Sequence, residues 1–320
     1  MKKPLRNALT ALAVILMLLA IGTVGGACYL LDYSLKPVTD SRDTVAVWAR
    51  RDSTFPGLTA WRDKLKTEGR WHDTVIQAPD GTRLHAYYLT AAQPTRHTAI
   101  VVHGYGDCAV VMMHLARMYE RDLHANVLLP DLRNAGDSGG DHIQMGWFDR
   151  LDVKQWTKTA PQMFGDTLSV IVHGHSMGAA TTMMLSGEPD VPAYVKGYVE
   201  DCGYTSVDDE FSKEITERFG LPRWPLVPLA SALCKMRYGW SFTEASALEQ
   251  VRKCSRPMLF IHGTADDFVP TRMVHPLYTA HRGPKQGWLA PGAAHADSYR
   301  KYPREYTRRV KIFADSVARW

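Results

Sequence analysis

The stretch Gly174-His175-Ser176-Met177-Gly178 constrains the fold of this chain more than any other. It follows an apolar, strand-like run at 168–172 and precedes small and apolar residues at 179–185. A strand, a sharp G-x-S-x-G turn and a helix hold a serine hydroxyl above the edge of a sheet. The two glycines let strand and helix approach closely, where a Cβ would clash. The pattern therefore predicts a nucleophilic serine, Ser176, at the positive N-terminus of a helix.

The pattern around this turn alternates between strands and helices. Apolar runs predict eight strands, at 71–78, 82–90, 99–102, 126–129, 168–172, 195–199, 258–261 and a last strand around 288–289. Helical spacing predicts helices at 58–66, 110–121, 177–185, 208–219 and 300–318. Asp80-Gly81 between the first two strands is typical of a hairpin. The sequence therefore predicts an α/β fold: a mostly parallel eight-stranded sheet flanked by helices.

Residues 204–242 interrupt the alternation and are too long for an ordinary connection. They contain the predicted helix 208–219, followed by Pro222, Pro225 and Pro228 beside Trp224. We predict a helical cap over the active-site edge, with a surface excursion that lacks substrate contact as the alternative. Two aromatic residues of the cap, Trp224 and Trp240, and Phe268 outside it are predicted to line the substrate pocket.

The N-terminus predicts a membrane segment. Lys2, Lys3 and Arg6 precede an uncharged stretch from residue 8 to residue 31, and Asp32 is the next charge. As a helix this stretch is roughly 36 Å long, enough to cross a hydrocarbon core of about 30 Å. The positive flank places the N-terminus in the cytoplasm and the body outside it, in the periplasm or at the cell surface.

The predicted division of the chain is a signal anchor at 1–34, a connector with a short helix at 35–70, and a catalytic domain at 71–320. A fragment that begins near Ser34 is expected to be soluble. Two alternatives remain open for the anchor: cleavage after the small residues Gly25-Gly26-Ala27, and lipidation at Cys28.

Composition and cysteine spacing argue against several other classes of function. The formal charge of +5 and 22% charged residues show no concentrated basic patch, so nucleic-acid binding is not expected. No cysteine pair has C-x-x-C spacing and no cluster has metal-ligand spacing, so neither a metal nor a cofactor is expected. At most one disulfide is expected among Cys108, Cys202, Cys234 and Cys254.

Two further stretches complete a catalytic set with Ser176. Asp266 follows the strand at 258–261, and His295 follows the last strand. Loops at the carboxyl ends of parallel strands meet in one crevice, so these side chains are expected to lie together. Asp267 is the weaker alternative acid, because adjacent side chains point in different directions. His103 and His262 each precede a glycine at a strand end and are expected to bond loop backbones, and Asp131 and Arg133 are expected to form an ion pair.

Several stretches of the sequence carry a resemblance to a known family. They are 84–88, His103-Gly104-Tyr105-Gly106-Asp107, 131–133, 145–150, 200–206 and the three stretches around Ser176, Asp266 and His295. They cover most of residues 55–320, and the chain resembles the serine α/β-hydrolase superfamily. More narrowly, it resembles a bacterial membrane-anchored or secreted branch related to acyl hydrolases and prolyl-oligopeptidase-like hydrolases. The order serine, acid, histidine is the order of that fold, and the backbone N–H groups of Tyr105 and Met177 would form the oxyanion hole.

The resemblance implies acyl-ester hydrolysis through a covalent acyl-enzyme. Ser176 would be the nucleophile, His295 the base and Asp266 its orienting acid. The expected partners are a small-molecule or acylated substrate and the membrane. A serine peptidase or an acyltransferase with the same triad remains an alternative, and a membrane-tethered binding protein on an inactive scaffold is a third.

Overall fold

The structure is a computed structural model that describes residues 3–36 and 40–318. The helices are α1 Lys3–Leu35, α2 Thr44–Thr54, α3 Leu58–Thr67, α4 Met113–Asp122, α5 Asp149–Phe164, α6 Met177–Ser186, α7 Val207–Phe219, α8 Arg223–Tyr238, α9 Ala247–Val251, α10 Val274–Ala280, α11 Ser298–Lys301 and α12 Pro303–Ala318. The strands are β1 Trp71–Gln77, β2 Arg83–Leu89, β3 His97–Val102, β4 Asn126–Pro130, β5 Ser169–His175, β6 Val195–Asp201, β7 Met258–Gly263 and β8 Lys285–Ala290.

The eight strands form one sheet in the order β1-β2-β4-β3-β5-β6-β7-β8. The pairs β1–β2 and β2–β4 are antiparallel, and all the others are parallel. The prediction of a mostly parallel eight-stranded sheet flanked by helices is confirmed.

Successive strand residues enter two different cores, as the period of two requires. Ile100 and Val102 of β3 face a core shared with α5, α6 and the cap. Ala99 and Val101 face a second core shared with α4 and α12. Because both faces are covered, nearly every residue of the central strands β3, β5 and β7 is buried.

The predicted connector contains two helices rather than one, α2 and α3. Their side chains Val47, Trp48, Leu58, Trp61 and Leu65 are buried in the second core. An N-cap bond from the Ala46 amide to the Asp43 carboxylate begins α2, which sequence analysis did not predict. This segment is therefore a packed part of the main domain and not a loose link.

The membrane-type helix α1 also reaches the body. Ala27, Leu31 and Leu35 are buried against the cap, whereas the preceding apolar residues are exposed. The predicted boundary at residue 34 thus cuts through packed contacts. Among the described residues, α1 is the one helix long and apolar enough to cross a membrane, and a signal sequence would meet the same criterion.

Candidate active site

The sharp turn after β5 holds Ser176 in a left-handed conformation, with φ 56° and ψ −120°. A Cβ at Gly174 would lie 2.0 Å from the Gly178 carbonyl oxygen, and one at Gly178 would lie 2.2 Å from the carbonyl oxygen of Val102. Both positions therefore require glycine. The Ser176 amide donates to the Asp201 carbonyl at 2.8 Å, which fixes the turn against the next strand.

Three predicted catalytic side chains form one hydrogen-bonded chain. Ser176 Oγ lies 2.8 Å from His295 Nε2, and His295 Nδ1 lies 2.8 Å from Asp266 Oδ2. The three residues follow β5, β7 and β8, which end at the same edge of the sheet. We call this region, with the loop after β3, the catalytic edge.

Asp266 is held from several sides. Its Oδ1 accepts from the Val269 amide at 2.9 Å, and His262 Nε2 lies 3.3 Å from its Oδ2. Burial alone would raise the pKa of Asp266, but hydrogen bonds from His262 and His295 lower it to about 2. The carboxylate is therefore ionised at neutral pH and can orient the imidazole and stabilise its charged form.

The neighbouring histidines have supporting positions. His262 Nε2 donates to the Val269 carbonyl at 2.8 Å, and its pKa, which burial would lower, is raised by the adjacent Asp266. His103 Nε2 accepts from the Leu132 amide at 2.9 Å. Burial and the nearby His295 lower the pKa of His175 to about 3, so it is a neutral packing residue at neutral pH.

The expected ion pair between Asp131 and Arg133 does not form. Asp131 instead bonds His85 Nδ1 at 2.7 Å, and Arg133 pairs with Asp152 at 2.6 Å and with Asp80. Both residues lie in the loop after β4, and each side chain finds its partner on a different neighbouring element: Asp131 on β2, and Arg133 on α5 and the β1–β2 turn.

The loop after β3 passes directly over the serine. A Cβ at Gly104 would lie 3.4 Å from Ser176 Cβ, and Tyr105 lines the same cavity as Ser176 and Met177. Met177 is the first residue of α6, where backbone N–H groups lack intrahelical acceptors. The predicted oxyanion-hole residues thus lie on either side of Ser176.

A cavity of about 90 Å³ lies above Ser176. One side consists of Tyr33 and Ser34 from α1 together with Phe211, Glu214 and Phe219 from α7, and we call these five residues the cavity wall. The Tyr105 hydroxyl donates to the Ser34 carbonyl at 2.8 Å, which joins the end of α1 to the catalytic edge. The N-terminal helix is therefore part of the site, a role that sequence analysis missed.

The three residues predicted to line the pocket have different positions. Phe268 lines the cavity, and its ring centroid lies 4.9 Å from that of His295. Trp240 is fully buried beside Phe242, and Trp224 is exposed, and among the described residues neither lines the Ser176 cavity. Trp240 follows the glycine that ends α8 and turns into the core, whereas Trp224 precedes the continuous part of α8 and points outward.

A buried carboxyl group that sequence analysis did not single out also lines the cavity. Glu210 is 4% exposed, and within the described chain neither of its carboxyl oxygens has a hydrogen-bond partner. Burial raises its pKa to about 8, so the group is mostly neutral at neutral pH. The available signal was its place on α7: Glu210 and Glu214 fall on the same helical stripe as the apolar Val207, Phe211 and Ile215.

Three clusters in the described residues bring possible metal-ligand atoms within 4.8 Å of one another: His175 with Asp201 and Cys202, Cys202 with Asp266 and His295, and His85 with Asp131 and Asp137. The fold brings these residues together, since their sequence spacing is irregular. In the second cluster the ligand atoms of Asp266 and His295 already bond each other, so an ion there would compete with the triad. All five cysteines have free thiols.

Comparison with known proteins agrees with this architecture. The sequence model of the alpha/beta hydrolase family matches residues 99–309. The chain is 30% identical to Bacillus subtilis protein YqkD, over 76% of this chain and 79% of YqkD. It is 25% identical to Arabidopsis thaliana alpha/beta hydrolase domain-containing protein WAV2, over 78% and 80% of the two chains.

Among solved structures, the Pyrococcus furiosus esterase Pf2001 superposes with a TM-score of 0.63 at 21% identity, covering 79% of this chain and 95% of the esterase. At this level of identity the likeness concerns the fold. The family match and the YqkD alignment each span most of the body described above. The chain therefore belongs to the alpha/beta hydrolase family.

Proposed function

We propose that this hydrolase cleaves acyl esters through a covalent acyl-enzyme formed on Ser176, and that α1 tethers it to a membrane. The observation that carries the proposal is the continuous chain of hydrogen bonds from Ser176 through His295 to Asp266. An intact nucleophile, base and orienting acid at one sheet edge favour an enzyme over an inactive binding scaffold.

The proposed reaction has two halves. Ser176 Oγ attacks the ester carbonyl as His295 Nε2 takes its proton, and collapse of the intermediate breaks the ester C–O bond while His295 protonates the departing alcohol. Water, activated by the same nitrogen, then attacks the acyl-enzyme, releases the acid and restores Ser176. Asp266 stays ionised throughout because its pKa lies near 2.

The Tyr105 and Met177 amides are proposed to hold the oxyanion. Each donor of this kind contributes about 2.7–4 kcal/mol to transition-state stabilisation. A Cβ built at Gly104 would lie 3.4 Å from Ser176 Cβ, so the loop after β3 passes within contact distance of the serine. This contact supports a role for the loop in the reaction.

Ester substrates are favoured by the character of the site. The cavity is small and its wall is largely apolar, which suits an acyl group. The structurally similar Pyrococcus furiosus protein is described as an esterase. A peptidase or an acyltransferase would use the same triad, and product analysis separates them: hydrolysis releases free acid, and transfer leaves the acyl group on a second acceptor.

The proposed enzyme is tested by labelling and a substrate panel. A fluorophosphonate should attach to Ser176 in the full-length protein, and a panel of esters, thioesters, amides and aminoacyl compounds should show turnover of esters first. Ser176→Ala provides the matched blank for both measurements. Absence of labelling together with absence of turnover across the panel would contradict the proposal.

The proposed topology places the catalytic body outside the cytoplasm, because Lys2, Lys3 and Arg6 precede the apolar run. Protease added to intact spheroplasts should digest the body, and permeabilisation should add nothing further. A body protected until the membrane is permeabilised would contradict this topology.

A further inference from the structure

The helix α1 has two parts with different surroundings. Its apolar residues up to about position 25 are exposed on all sides. Its last turns pack on the cap: a side chain at Gly26 would lie 3.8 Å from Leu226, and Asp32 pairs with Arg237 at 3.2 Å. The exposed part and the part packed on the cap therefore belong to one continuous helix, with no linker between them.

The length of the exposed part of α1 determines where the cap lies relative to the membrane surface. Residues 8–25 rise by about 27 Å as a helix, which is close to the hydrocarbon thickness of about 30 Å in a typical bilayer. If these residues cross the membrane, Leu226 and the cap edge come level with its surface. The cavity wall, which begins at Tyr33, then lies within a few turns of the lipid.

Aromatic and apolar residues collect at this level. We call Tyr29, Tyr33, Phe219, Leu221 and Trp224 the interfacial rim; all are exposed, Trp224 by 74%. Tyr33 stacks on Tyr29 with ring centroids 6.2 Å apart and meets Phe219 edge-on at 5.9 Å. Tyrosine and tryptophan concentrate where membrane hydrocarbon meets water.

Basic side chains accompany the rim. The Arg218 guanidinium lies 5.6 Å from the Tyr33 ring centroid, whereas Arg223 and Arg237, which follow on the cap, pair with Asp208 and Asp32. The Arg218 cation beside the rim suits the negative phosphates of a lipid surface. Exposed rings beside cations, at the end of an apolar helix, fit a bilayer surface better than water.

The Ser176 cavity extends towards the rim. A second cavity, of about 40 Å³, lies between α1 and the cap and is lined by Leu30, Leu31, Leu226 and Ala230 among others. It shares Ser34, Phe211, Glu214 and Phe219 with the Ser176 cavity. Both are far smaller than the roughly 300–1,000 Å³ that encloses a whole drug-sized ligand.

From this arrangement we infer that the substrate is a membrane lipid ester whose acyl chain reaches Ser176 directly from the leaflet, through the gap between α1 and the cap. The inference rests on the proposed function and names its substrate class. The small cavities hold the ester and the first part of the chain. The remainder lies along α1, whose exposed apolar surface matches the hydrocarbon around it.

The test uses the full-length protein in vesicles of phosphatidylethanolamine and phosphatidylglycerol. Two esters of one reporter alcohol are compared, 4-methylumbelliferyl palmitate within the bilayer and 4-methylumbelliferyl acetate in water. Ala230→Trp fills the second cavity from α8, and Ile312→Trp adds the same ring at an exposed position of α12 as the matched control. We expect Ala230→Trp to lower the palmitate-to-acetate ratio of kcat/KM by about tenfold and the control to leave it unchanged.

A second variant keeps the test decisive if Ala230→Trp fails to fold. Leu221 and Trp224 are exposed, so the double change L221S/W224S is tolerated by the fold and should lower palmitate turnover in vesicles by about threefold or more, with acetate turnover preserved. An unchanged palmitate-to-acetate ratio in both Ala230→Trp and the double variant would overturn the inference. Failure of the proposed function looks different: the wild-type protein would then hydrolyse neither ester and resist fluorophosphonate.

Discussion

The catalytic edge and the cavity wall are assembled in different ways. Ser176, Asp266 and His295 each follow a strand whose neighbours are fixed by backbone hydrogen bonds. The wall instead joins Tyr33 and Ser34 of the N-terminal helix to side chains of α7, from a distant part of the chain. The residues proposed for the reaction are thus encoded in short local motifs, whereas the shape of the cavity beside them depends on how two helices pack.

The largest expected effects come from the catalytic edge. Ser176→Ala and His295→Ala should each lower kcat by about 10⁴-fold or more, and Asp266→Asn somewhat less, because the three groups act as a unit. The loss in kcat should be the same for esters of every acyl-chain length, since no residue of the cavity wall changes. Steady-state kinetics on water-soluble esters measures this, with thermal unfolding as the control. Full activity of Ser176→Ala or His295→Ala would refute the assignment.

The next largest effect is on stability, and it differs between two tryptophans of the cap. Trp240→Ala should lower the free energy of unfolding by about 3–5 kcal/mol, because a large buried side chain is lost. Trp224→Ala should change it by less than about 0.5 kcal/mol, because the ring is exposed. Denaturant unfolding of both variants gives the two values. Similar losses would mean that Trp224 is buried in the native protein.

A pH experiment compares one buried acid from each region. Burial raises the pKa values of Glu200, beneath the catalytic edge, and of Glu210, in the cavity, to about 8. Each carboxyl group stabilises the fold below its unfolded pKa of about 4.3, and this contribution is lost as pH rises towards 8. Glu200→Gln and Glu210→Gln should therefore each reduce the fall in stability over that range, by at most about 1.4 kcal/mol per pH unit.

The same two variants should separate the regions by kinetics. Only Glu210 lines the Ser176 cavity, so Glu210→Gln should change KM for ester substrates, and Glu200→Gln should leave KM alone. Unfolding temperatures between pH 5 and 8 and KM values at pH 7 provide both readouts. Equal KM changes would show that the two acids do not belong to separate regions.

The smallest expected effect is at Phe268, where the two regions meet. Its ring packs 4.9 Å from His295, and a contact of this kind contributes about 0.5–1.5 kcal/mol. Phe268→Ala should therefore lower kcat/KM for all esters by about 2- to 13-fold, and Phe268→Leu, which keeps an apolar contact, should lower it less. An unchanged kcat/KM in Phe268→Ala would remove the residue from the site.

Sequence alone predicted the sheet because strand patterns are local. Each of the eight strands lies where its apolar run predicts it, and the triad residues follow their strands as expected. The α7 helix was also predicted, from its amphipathic spacing. These features depend on neighbours along the chain, and the structure brings the three triad side chains within hydrogen-bonding distance.

Other features depended on packing that a sequence pattern does not specify. No helix was predicted after 219, where prolines stand at 222, 225 and 228, but α8 begins there, because proline is tolerated in the first turn of a helix. Trp224 and Trp240 were both predicted to line the pocket because they are aromatic residues of the cap, but Trp240 is buried and Trp224 is exposed. The contribution of Ser34 to the site arises from the docking of α1 on the cap, which no local motif records.

The docking of α1 also decides where this chain can be shortened. Removal of the first 34 residues, which would take away the whole apolar run, would strip Leu31 and Ser34 from the second cavity and uncover the apolar cap beneath them. Processing after Gly25-Gly26-Ala27 would instead leave a mature chain that starts at Cys28 and retains Leu31, Tyr33 and Ser34. A recombinant enzyme that starts near residue 26 should keep Tyr33 and Ser34 in the wall of the Ser176 cavity, whereas one that starts at residue 35 lacks both.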